Sequence, residues 1–393
     1  MRISSFAVFV VSTFGCILAA CGLASVDPES SGAGGICGPD GCASLLSANG
    51  HTCAVTPSGG VKCWGPNPHG QLGDGTTTHK QVPVPVVGLD SGVIGVTAGA
   101  HHTCALMSER GVKCWGSNVF GQLGDGTGAS SLSPVPVVGL DSGVVSVSAG
   151  DFHTCAITSD GEAKCWGYDF HGEIGDGTLV DAPVPVQVVG LESAVVAISP
   201  GGTFTYAVTT DGAVMFWGGD DMPSPDGRPY NYHLEPLLIA GLDSGATAVS
   251  SGGLHACAIV SGGVKCWGSG ILGQLGYGVK WGSDSPVSVI GLESGVVGIA
   301  AGLFHTCAVT SSGAAKCWGA SGHSGDGTSE DQFVPTQVLG LDTGVIAVAG
   351  ADNHTCVLTE DGRVWCWGGN SGGQLGNNTT EFSNVPVQVV GFP

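Results

Sequence analysis

Positive charge is scarce in this sequence. Its 393 residues include 11 lysines and arginines against 32 aspartates and glutamates, a formal net charge of −21. Because nucleic-acid binding depends on Lys and Arg side chains that neutralise phosphates, this balance argues strongly against a nucleic-acid partner, and it disfavours anionic membrane surfaces. Five of the basic residues recur at one position beside a cysteine, so they leave no basic patch: Lys62, Lys113, Lys164, Lys265 and Lys316.

Helical periodicity and the familiar catalytic motifs are also missing. No window of the sequence sustains a helical period, so we expect little helix. There is no phosphate-binding loop, no nucleophile elbow and no zinc-binding helix. We therefore predict no cofactor and no metal site, and we expect the protein not to be an enzyme.

What the chain does contain is a unit of about 50 residues that returns seven times. Each unit ends its best-defined segment with Trp-Gly, and successive tryptophans are 49 to 51 residues apart: Trp64, Trp115, Trp166, Trp217, Trp267, Trp318 and Trp367. The second unit shows four short β-branched segments, at 93–98, 103–106, 112–115 and 134–138, with glycine turns between them. Four short strands per repeat are typical of a propeller blade, and the prolines of the fourth suit an edge strand.

The repeated elements resemble a known family. Gly-x-x-His-Thr, Gly-x-Val-x-x-Trp-Gly and Gly-Gln-Leu-Gly-Asp-Gly are similar to the regulator-of-chromosome-condensation repeat, over about residues 43–393. The resemblance implies an all-β fold, a closed seven-bladed propeller of four-stranded blades. In many propellers the first and last strands share a blade, and we expect a closure of that kind here.

The N-terminal residues predict export. Residues 1–20 contain one Arg and an apolar run, and Leu18-Ala19-Ala20-Cys21 resembles the bacterial lipobox, whose Cys becomes the lipid-bearing mature N-terminus. Cys21 is therefore the predicted lipidation site, and the bacterial cell envelope or surface is the predicted location. An ordinary signal peptide or an uncleaved anchor is the alternative. Residues 21–42 predict a flexible Gly- and Ser-rich tether, which a small disulfide loop between Cys37 and Cys42 closes.

Twelve further cysteines form six pairs within units, each flanking a hairpin turn. Opposite residues on adjacent antiparallel strands lie about 4.5–5.5 Å apart at Cα, which is within disulfide range. In the fourth unit Tyr206 and Phe216 replace both members together. Since export passes through an oxidising compartment, we predict disulfides, with buried thiols or a metal site as the alternatives. The pairs are Cys53–Cys63, Cys104–Cys114, Cys155–Cys165, Cys257–Cys266, Cys307–Cys317 and Cys356–Cys366.

Three repeated residues are assigned to the scaffold. Six equivalent histidines before Thr-Cys indicate a hydrogen-bonding and packing element rather than one catalytic residue: His51, His102, His153, His255, His305 and His354. The tryptophans are interpreted as wedges between blades whose indole N–H is bonded to a neighbour. The Asp of Gly-Asp-Gly-Thr is interpreted as a turn residue, because the further carboxylates of a calcium loop are missing: Asp74, Asp125, Asp176 and Asp326.

Positions that differ between units are the candidates for function. Those between the first and second strands should form a ring on one face, with large apolar groups beside carboxylates: Asp151, Phe152, Leu254, Leu303, Phe304, Asp352 and Asn353. A second variable set follows the Trp-Gly pairs and contains Phe120, Tyr168 and Phe170. Apolar anchors with a polar rim are typical of protein-binding surfaces. The alternative is that these side chains fold back on the scaffold.

We therefore predict a monomeric, non-enzymatic, surface-tethered module that binds a partner protein through one face and meets the membrane only through the lipid on Cys21. One alternative is a guanine nucleotide exchange factor, as in the founding member of the resembling family, although the even spacing leaves no room for the inserted wedge of such factors. Another is an enzyme or glycan-binding module with a site in the central channel. The fourth unit, with its divergent loop at 220–233, is either decayed or specialised.

Overall fold

The computed structural model describes residues 37–38, 41–42, 45–48, 50–220 and 231–392. The predicted signal peptide, Cys21, most of the tether and most of the fourth unit's divergent loop lie outside these residues. So do the side chains of Cys37 and Cys42, whose backbones pair with each other. Among the described residues, no helix has the length and apolar character that a membrane crossing needs.

Seven four-stranded antiparallel sheets form the seven blades of a propeller, preceded by a two-stranded sheet, β1 (Cys37–Gly38) and β2 (Gly41–Cys42). Blades one to three consist of β3 (Leu45–Ala48), β4 (His51–Val55), β5 (Val61–Gly65) and β6 (Lys80–Pro85); β7 (Val93–Ala98), β8 (His102–Met107), β9 (Val112–Gly116) and β10 (Ser131–Pro136); and β11 (Val144–Ala149), β12 (His153–Thr158), β13 (Ala163–Gly167) and β14 (Ala182–Gln187).

The remaining four blades repeat this order, and the first strands of blades two to seven line the central channel. They consist of β15 (Val195–Pro200), β16 (Phe204–Thr209), β17 (Val214–Asp220) and β18 (Asn231–Leu238); β19 (Ala246–Ser251), β20 (His255–Val260), β21 (Gly263–Gly268) and β22 (Ser283–Ser288); β23 (Val296–Ala301), β24 (His305–Thr310), β25 (Ala315–Gly319) and β26 (Gln332–Gln337); and β27 (Val345–Gly350), β28 (His354–Thr359), β29 (Val364–Gly368) and β30 (Ser383–Gln388).

Local sequence explains the strand order within a blade. The second and third strands are almost wholly buried, and their small and β-branched residues pack between neighbouring blades. The outer strand β10 carries Pro134 and Pro136, which suit an edge because they donate no ladder hydrogen bond. Gly116, after the wedge Trp115, has φ +104°, and a Cβ there would lie 2.8 Å from the Cα of His102. Only glycine fits this close approach.

The expected sharing of a blade between the two ends of the propeller is wrong. Blade one is β3–β6 and blade seven is β27–β30, so each is built from four consecutive strands. Because both ends supply complete sheets, no strand is left to complete a neighbour. The ring closes instead through side chains: Thr52 lies 2.8 Å from His354 Nε2, and Trp64 Nε1 donates to the carbonyl of Gln374 at 2.9 Å.

The six predicted disulfides within the blades are present. Each joins two cysteines that lie opposite each other on the second and third strands, with their Cα atoms 4.0 to 4.1 Å apart. All twelve of these cysteines are fully buried. Each disulfide closes a hairpin within one blade, so it staples the blade itself and not its neighbour.

Junctions between blades are held by a repeated polar network, here called the girdle. Between blades two and three, His102 Nε2 lies 2.8 Å from Thr154 Oγ1. The carbonyl of Gln122 accepts from both Thr154 Oγ1 (3.0 Å) and Trp166 Nε1 (2.9 Å). Since the Thr hydroxyl gives its proton to the carbonyl, the histidine donates through Nε2–H and is neutral. This confirms the tryptophan wedges and the structural role of the histidines.

Burial keeps these histidines neutral over a wide pH range. It lowers the pKa of His51, His102, His153 and His354 to about 3 and that of His255 to about 4, and it also lowers the pKa of His305. Charges on nearby histidines, some of them outside the girdle, add to the effect of burial at His51, His102, His305 and His354. A group of this kind holds blades together and is unsuited to proton transfer near neutral pH.

The junction between blades four and five is built differently. Phe204 stands in the histidine position and Ala256 in the threonine position, so neither half of that polar pair is present. Trp267 Nε1 donates instead to the hydroxyl of Tyr206 at 3.1 Å, and Tyr206 occupies the place of a disulfide cysteine. Blade four is nevertheless a complete sheet, in which the rings of Tyr206 and Phe216 lie 5.1 Å apart.

Candidate interaction face

Both variable loop sets lie at the same end of the blades. Because the strands of a blade are antiparallel and consecutive, the loops after the first strand and after the third strand emerge together. Ring contacts join the two sets, since Phe152 of the first set lies 5.7 Å from Phe120 and 6.2 Å from Tyr168 of the second. This end of the propeller is called the loop face below, and the predicted ring of variable residues on one face is confirmed.

An aromatic strip runs along the loop face from blade one to blade four. It consists of His69, His101, Phe120, Phe152, Tyr168, Phe170, His171 and Tyr232. Neighbouring centroids lie between 4.6 Å (His69–His101) and 6.3 Å (Tyr168–Phe170), mostly in tilted or edge-on arrangements. Such pairs stabilise each other beyond simple burial. Phe170 is 60% exposed, so the strip presents an apolar surface to solvent.

Buried amides hold the loops that carry the strip. In blade two, Gln122 Oε1 accepts the backbone N–H of Phe120 at 3.0 Å, and Asn118 Oδ1 accepts that of Leu123 at 2.9 Å. Asn118 Nδ2 donates to Asp125 Oδ1 at 3.0 Å. Since the side chains of Asn118 and Gln122 are fully buried, the loop is fixed before any partner arrives.

The turn interpretation of the Gly-Asp-Gly-Thr loops is confirmed. The carboxylates of Asp74, Asp125, Asp176 and Asp326 each accept the backbone N–H of the threonine two residues later, at 2.8 to 3.0 Å. Asn377 does the same for Thr379 at 3.2 Å. Within the part of the chain that the structure describes, no three His, Cys, Asp or Glu side chains are grouped to hold a metal ion.

The mouth of the central channel also opens on the loop face. A cavity of about 360 Å³ is walled by small residues of the inner strands, and Asp151, Leu254, Leu303 and Asp352 lie among its lining. Burial, and next the charge of Asp151, raise the pKa of Asp352 to about 7. The two carboxylates therefore approach each other across the mouth, where a positive charge is favoured.

Eight of the ten predicted partner-binding residues divide between these two features. Phe120, Phe152, Tyr168 and Phe170 belong to the strip, whereas Asp151, Leu254, Leu303 and Asp352 line the channel. Phe304 is half-buried and Asn353 is exposed, and neither belongs to the strip or to the described channel lining. The rings of the strip contact one another, and Phe170 remains exposed, so this ring does not fold back on the scaffold.

Two family models that describe the Regulator of chromosome condensation (RCC1) repeat match the chain. One matches residues 93–122, 144–173, 296–325 and 345–374, and the other matches residues 58–106, 112–157, 261–309 and 361–393. Together these ranges include more than half of the 393 residues. The chain belongs to the RCC1 repeat family.

Relatives of this RCC1-repeat protein are similar over part of their length. The ultraviolet-B receptor UVR8 of Arabidopsis thaliana is 30% identical over 241 residues, which are 60% of this chain and 55% of the receptor. The RCC1 domain-containing mitochondrial protein RUG3 of the same plant is 31% identical over 183 residues, 44% of this chain and 41% of the relative. The chain thus spans about half the length of these curated relatives.

Solved structures agree on the fold of this RCC1-repeat protein. Human WBSCR16 has a TM-score of 0.70 at 25% identity, with 82% of this chain and 88% of that chain covered. Prp20p of Saccharomyces cerevisiae has a TM-score of 0.72 at 22% identity, with 88% and 87% covered. At that identity the yeast likeness shows the fold alone.

Four members of the strip are absent from the sequence-based set: His69, His101, His171 and Tyr232. The repeat positions of three of them could have identified them. His69 and His171 stand at the repeat position of Phe120, two residues before the buried Gln or Glu, and His101 stands at that of Phe152. Tyr232 lies next to the described end of the divergent fourth-unit loop, where the repeat alignment is lost.

Proposed function

We propose that this protein is a non-enzymatic interaction module that is exported, held at the bacterial cell envelope by lipid on Cys21, and binds a partner protein through the loop face. The observation that carries the proposal is the aromatic strip on a rigid ring. Large aromatic side chains at the centre of an interface supply most of its binding free energy, and a fixed scaffold loses little entropy on binding.

Family properties support a protein partner. The yeast protein Prp20p, also called yeast RCC1, has a similar fold; its structures are described with its binding to Gsp1p and histones and in complex with Kap60. One similar propeller thus binds several proteins. The net charge of −21 favours a partner with a basic surface over histone-bearing chromatin or nucleic acid.

The channel wall and the turns between the second and third strands distinguish this proposal from its alternatives. An enzyme or glycan site in the channel calls for a polar cluster specific to one blade. The described wall consists mainly of small and apolar residues at equivalent positions of several blades, and its two carboxylates, Asp151 and Asp352, come from different blades. An exchange factor calls for an inserted wedge. In all seven blades the described turn between the second and third strands is short and of similar length.

The experiment is a comparison of two exposed positions at opposite ends of the propeller. Phe170→Ala removes an apolar ring of the strip that is 60% exposed. Leu339→Ala removes an apolar side chain, 52% exposed, on the connection between β26 and β27 at the other end. Neither change should affect folding, because both side chains are largely exposed.

Envelope proteins crosslinked to the wild type in a native-type host should be lost with Phe170→Ala and retained with Leu339→Ala. For a purified partner, we expect Phe170→Ala to weaken binding by about 30-fold, the effect of a typical hot-spot residue. Equal capture by both variants would contradict binding through the loop face. Nucleotide release from a small GTPase by the purified protein would restore the exchange-factor alternative.

A further inference from the structure

The loop-face loop of the third blade differs from those of blades one, two and seven at one buried position. In blades one, two and seven a buried asparagine occupies the same repeat position: Asn67, Asn118 and Asn370. Each Nδ2 donates to the side-chain oxygen seven residues later and to the carbonyls nine and eleven residues later, at 2.9 to 3.3 Å. The amide therefore fills a cradle of oxygen acceptors.

In blade three that position is Asp169, which cannot donate in its ionised form. The rest of the loop keeps its structure: Asp169 Oδ1 accepts the N–H of Ile174 at 2.9 Å, as Asn118 Oδ1 accepts that of Leu123, and Asp176 accepts the N–H of Thr178 at 2.8 Å. Asp169 is fully buried, and among the described residues its Oδ2 has no hydrogen-bond partner. An acceptor thus occupies the place that a donor fills in blades one, two and seven.

A second amide-to-acid change in the same loop shows how such a change is compensated. Glu173 replaces the buried glutamine of blades one, two, five and seven, and its Oε2 accepts the N–H of His171 as that glutamine accepts the equivalent N–H. Its other oxygen, Oε1, lies 2.8 Å from His171 Nδ1. Glu173 therefore has a side-chain partner for the oxygen that replaces the amide nitrogen, whereas Asp169 Oδ2 has none.

We propose that the third-blade loop binds a hard divalent cation of the Ca²⁺ class, which takes the place that the asparagine Nδ2 fills in blades one, two and seven. Its ligands would be Asp169 Oδ2, the carboxylate of Asp176, and the backbone carbonyls of Thr178 and Val180, at the repeat positions that accept from Asn118. Oxygen ligands from carboxylates and backbone carbonyls suit calcium better than magnesium, which demands strict octahedral geometry.

The charge around the site agrees with a bound cation. Burial raises the pKa of Asp169 to about 7 and the charges of Asp176 and Glu173 contribute to the rise, whereas the backbone N–H groups of Ile174 and Val180 oppose it. Asp181, whose Oδ1 accepts the N–H of Asp169 at 2.9 Å, adds a further carboxylate. Asp169 lies between Tyr168 and Phe170, so the cation would fix the part of the loop that carries the centre of the strip.

The test uses the full mature protein, stripped with a chelator and titrated at pH 7.5 with CaCl₂ by calorimetry and with TbCl₃ by luminescence excited through the protein's aromatic residues. The wild type should bind one ion per chain, and saturating Ca²⁺ should raise its melting temperature by roughly 5 °C. Asp169→Asn, which installs the side chain of three other blades, should bind no ion and should melt at the same temperature with and without Ca²⁺.

A matched variant in blade two should gain a second cation site. Asn118→Asp places a carboxylate opposite Asp125 in an otherwise similar loop, so it should raise the stoichiometry from one ion to two. The proposal is overturned if the wild type binds no Ca²⁺ and Tb³⁺ gives no signal. It is also overturned if Asp169→Asn binds as the wild type does, or if wild-type stability depends on pH alone, which would show that Asp169 takes only a proton.

Discussion

Six of the seven junctions between blades share one set of polar groups, and the junction between blades four and five replaces most of it. At the six, a histidine of one blade contacts a threonine of the next, and a tryptophan donates to a backbone carbonyl. At the junction between blades four and five, Phe204 and Ala256 occupy the histidine and threonine positions, and Trp267 donates to Tyr206. Histidine and threonine are therefore lost together.

The comparison teaches that the girdle behaves as a unit. A buried donor or acceptor without a partner costs about 1–3 kcal/mol, whereas replacing both partners with apolar groups is nearly neutral. The same reasoning explains why both cysteines are absent from blade four, and why Tyr206, which takes one cysteine position, also supplies the acceptor for Trp267. Blade four is thus a second solution to the same packing problem.

Reduction of the disulfides should have the largest effect. Each disulfide closes a short loop worth roughly 2–3 kcal/mol, and six are present. After reduction, hydrogen exchange should accelerate in the hairpins of the six stapled blades and least in the hairpin of β16 and β17, which has no disulfide. Uniform acceleration around the ring would contradict local stapling.

Acidification should have the next largest effect. The girdle histidines have a folded pKa far below 6.5, so the unfolded chain takes up protons first, and stability should fall from about pH 6.5 downwards. At pH 5 each histidine should cost about 2 kcal/mol. The raised pKa of Asp169 and of Asp352 acts in the opposite direction between about pH 4 and 7. Urea unfolding at pH 7 and pH 5 measures the difference, and equal midpoints would contradict neutral histidines.

Substituting the residues found between blades four and five into the junction between blades two and three should have a smaller and more specific effect on stability. Thr154→Ala alone leaves the buried Nε2–H of His102 without its acceptor and should cost about 1–3 kcal/mol. Adding His102→Phe should recover part of that loss, giving a coupling of about 1–2 kcal/mol in a double-mutant cycle. Additive losses in urea unfolding would show that the pair does not act as a unit.

The smallest effect on stability is expected at the junction between blades four and five. Tyr206→Phe removes the hydroxyl that accepts from Trp267 Nε1 and should lower the free energy of unfolding by about 1–2 kcal/mol. Tyr168→Phe, in the half-buried strip, is the control and should change stability by less than about 0.5 kcal/mol. Equal effects of the two changes on the unfolding midpoint would contradict the role given to Tyr206.

Repetition explains which features the sequence could predict. Strand order, tryptophan wedges, disulfide partners and Asp turns recur at fixed positions, so each unit supports the interpretation of the others. Two kinds of feature could not be obtained this way. The closure between Thr52 and His354 depends on where the chain ends fall within a blade, and the partnership of Trp267 with Tyr206 occurs once, so no repeat reveals it.

The aromatic strip of the candidate site could not be predicted from repetition either. Its side chains come from variable positions of four blades, and only the ring geometry brings His69, Phe152 and Tyr232 onto one surface. The amide-to-acid change at Asp169 is visible in the sequence, but its importance depends on the buried cradle of oxygen acceptors around the equivalent asparagines.

The account depends most on the ring being an exported, disulfide-stapled module. The intact mass of the mature protein from a native-type host, measured with and without reductant, tests this directly. We expect loss of residues 1–20, a lipid adduct on Cys21, and a gain on reduction of twelve hydrogens for the six pairs within blades, or fourteen with Cys37 and Cys42. A full-length, unmodified chain whose mass does not change on reduction would contradict it.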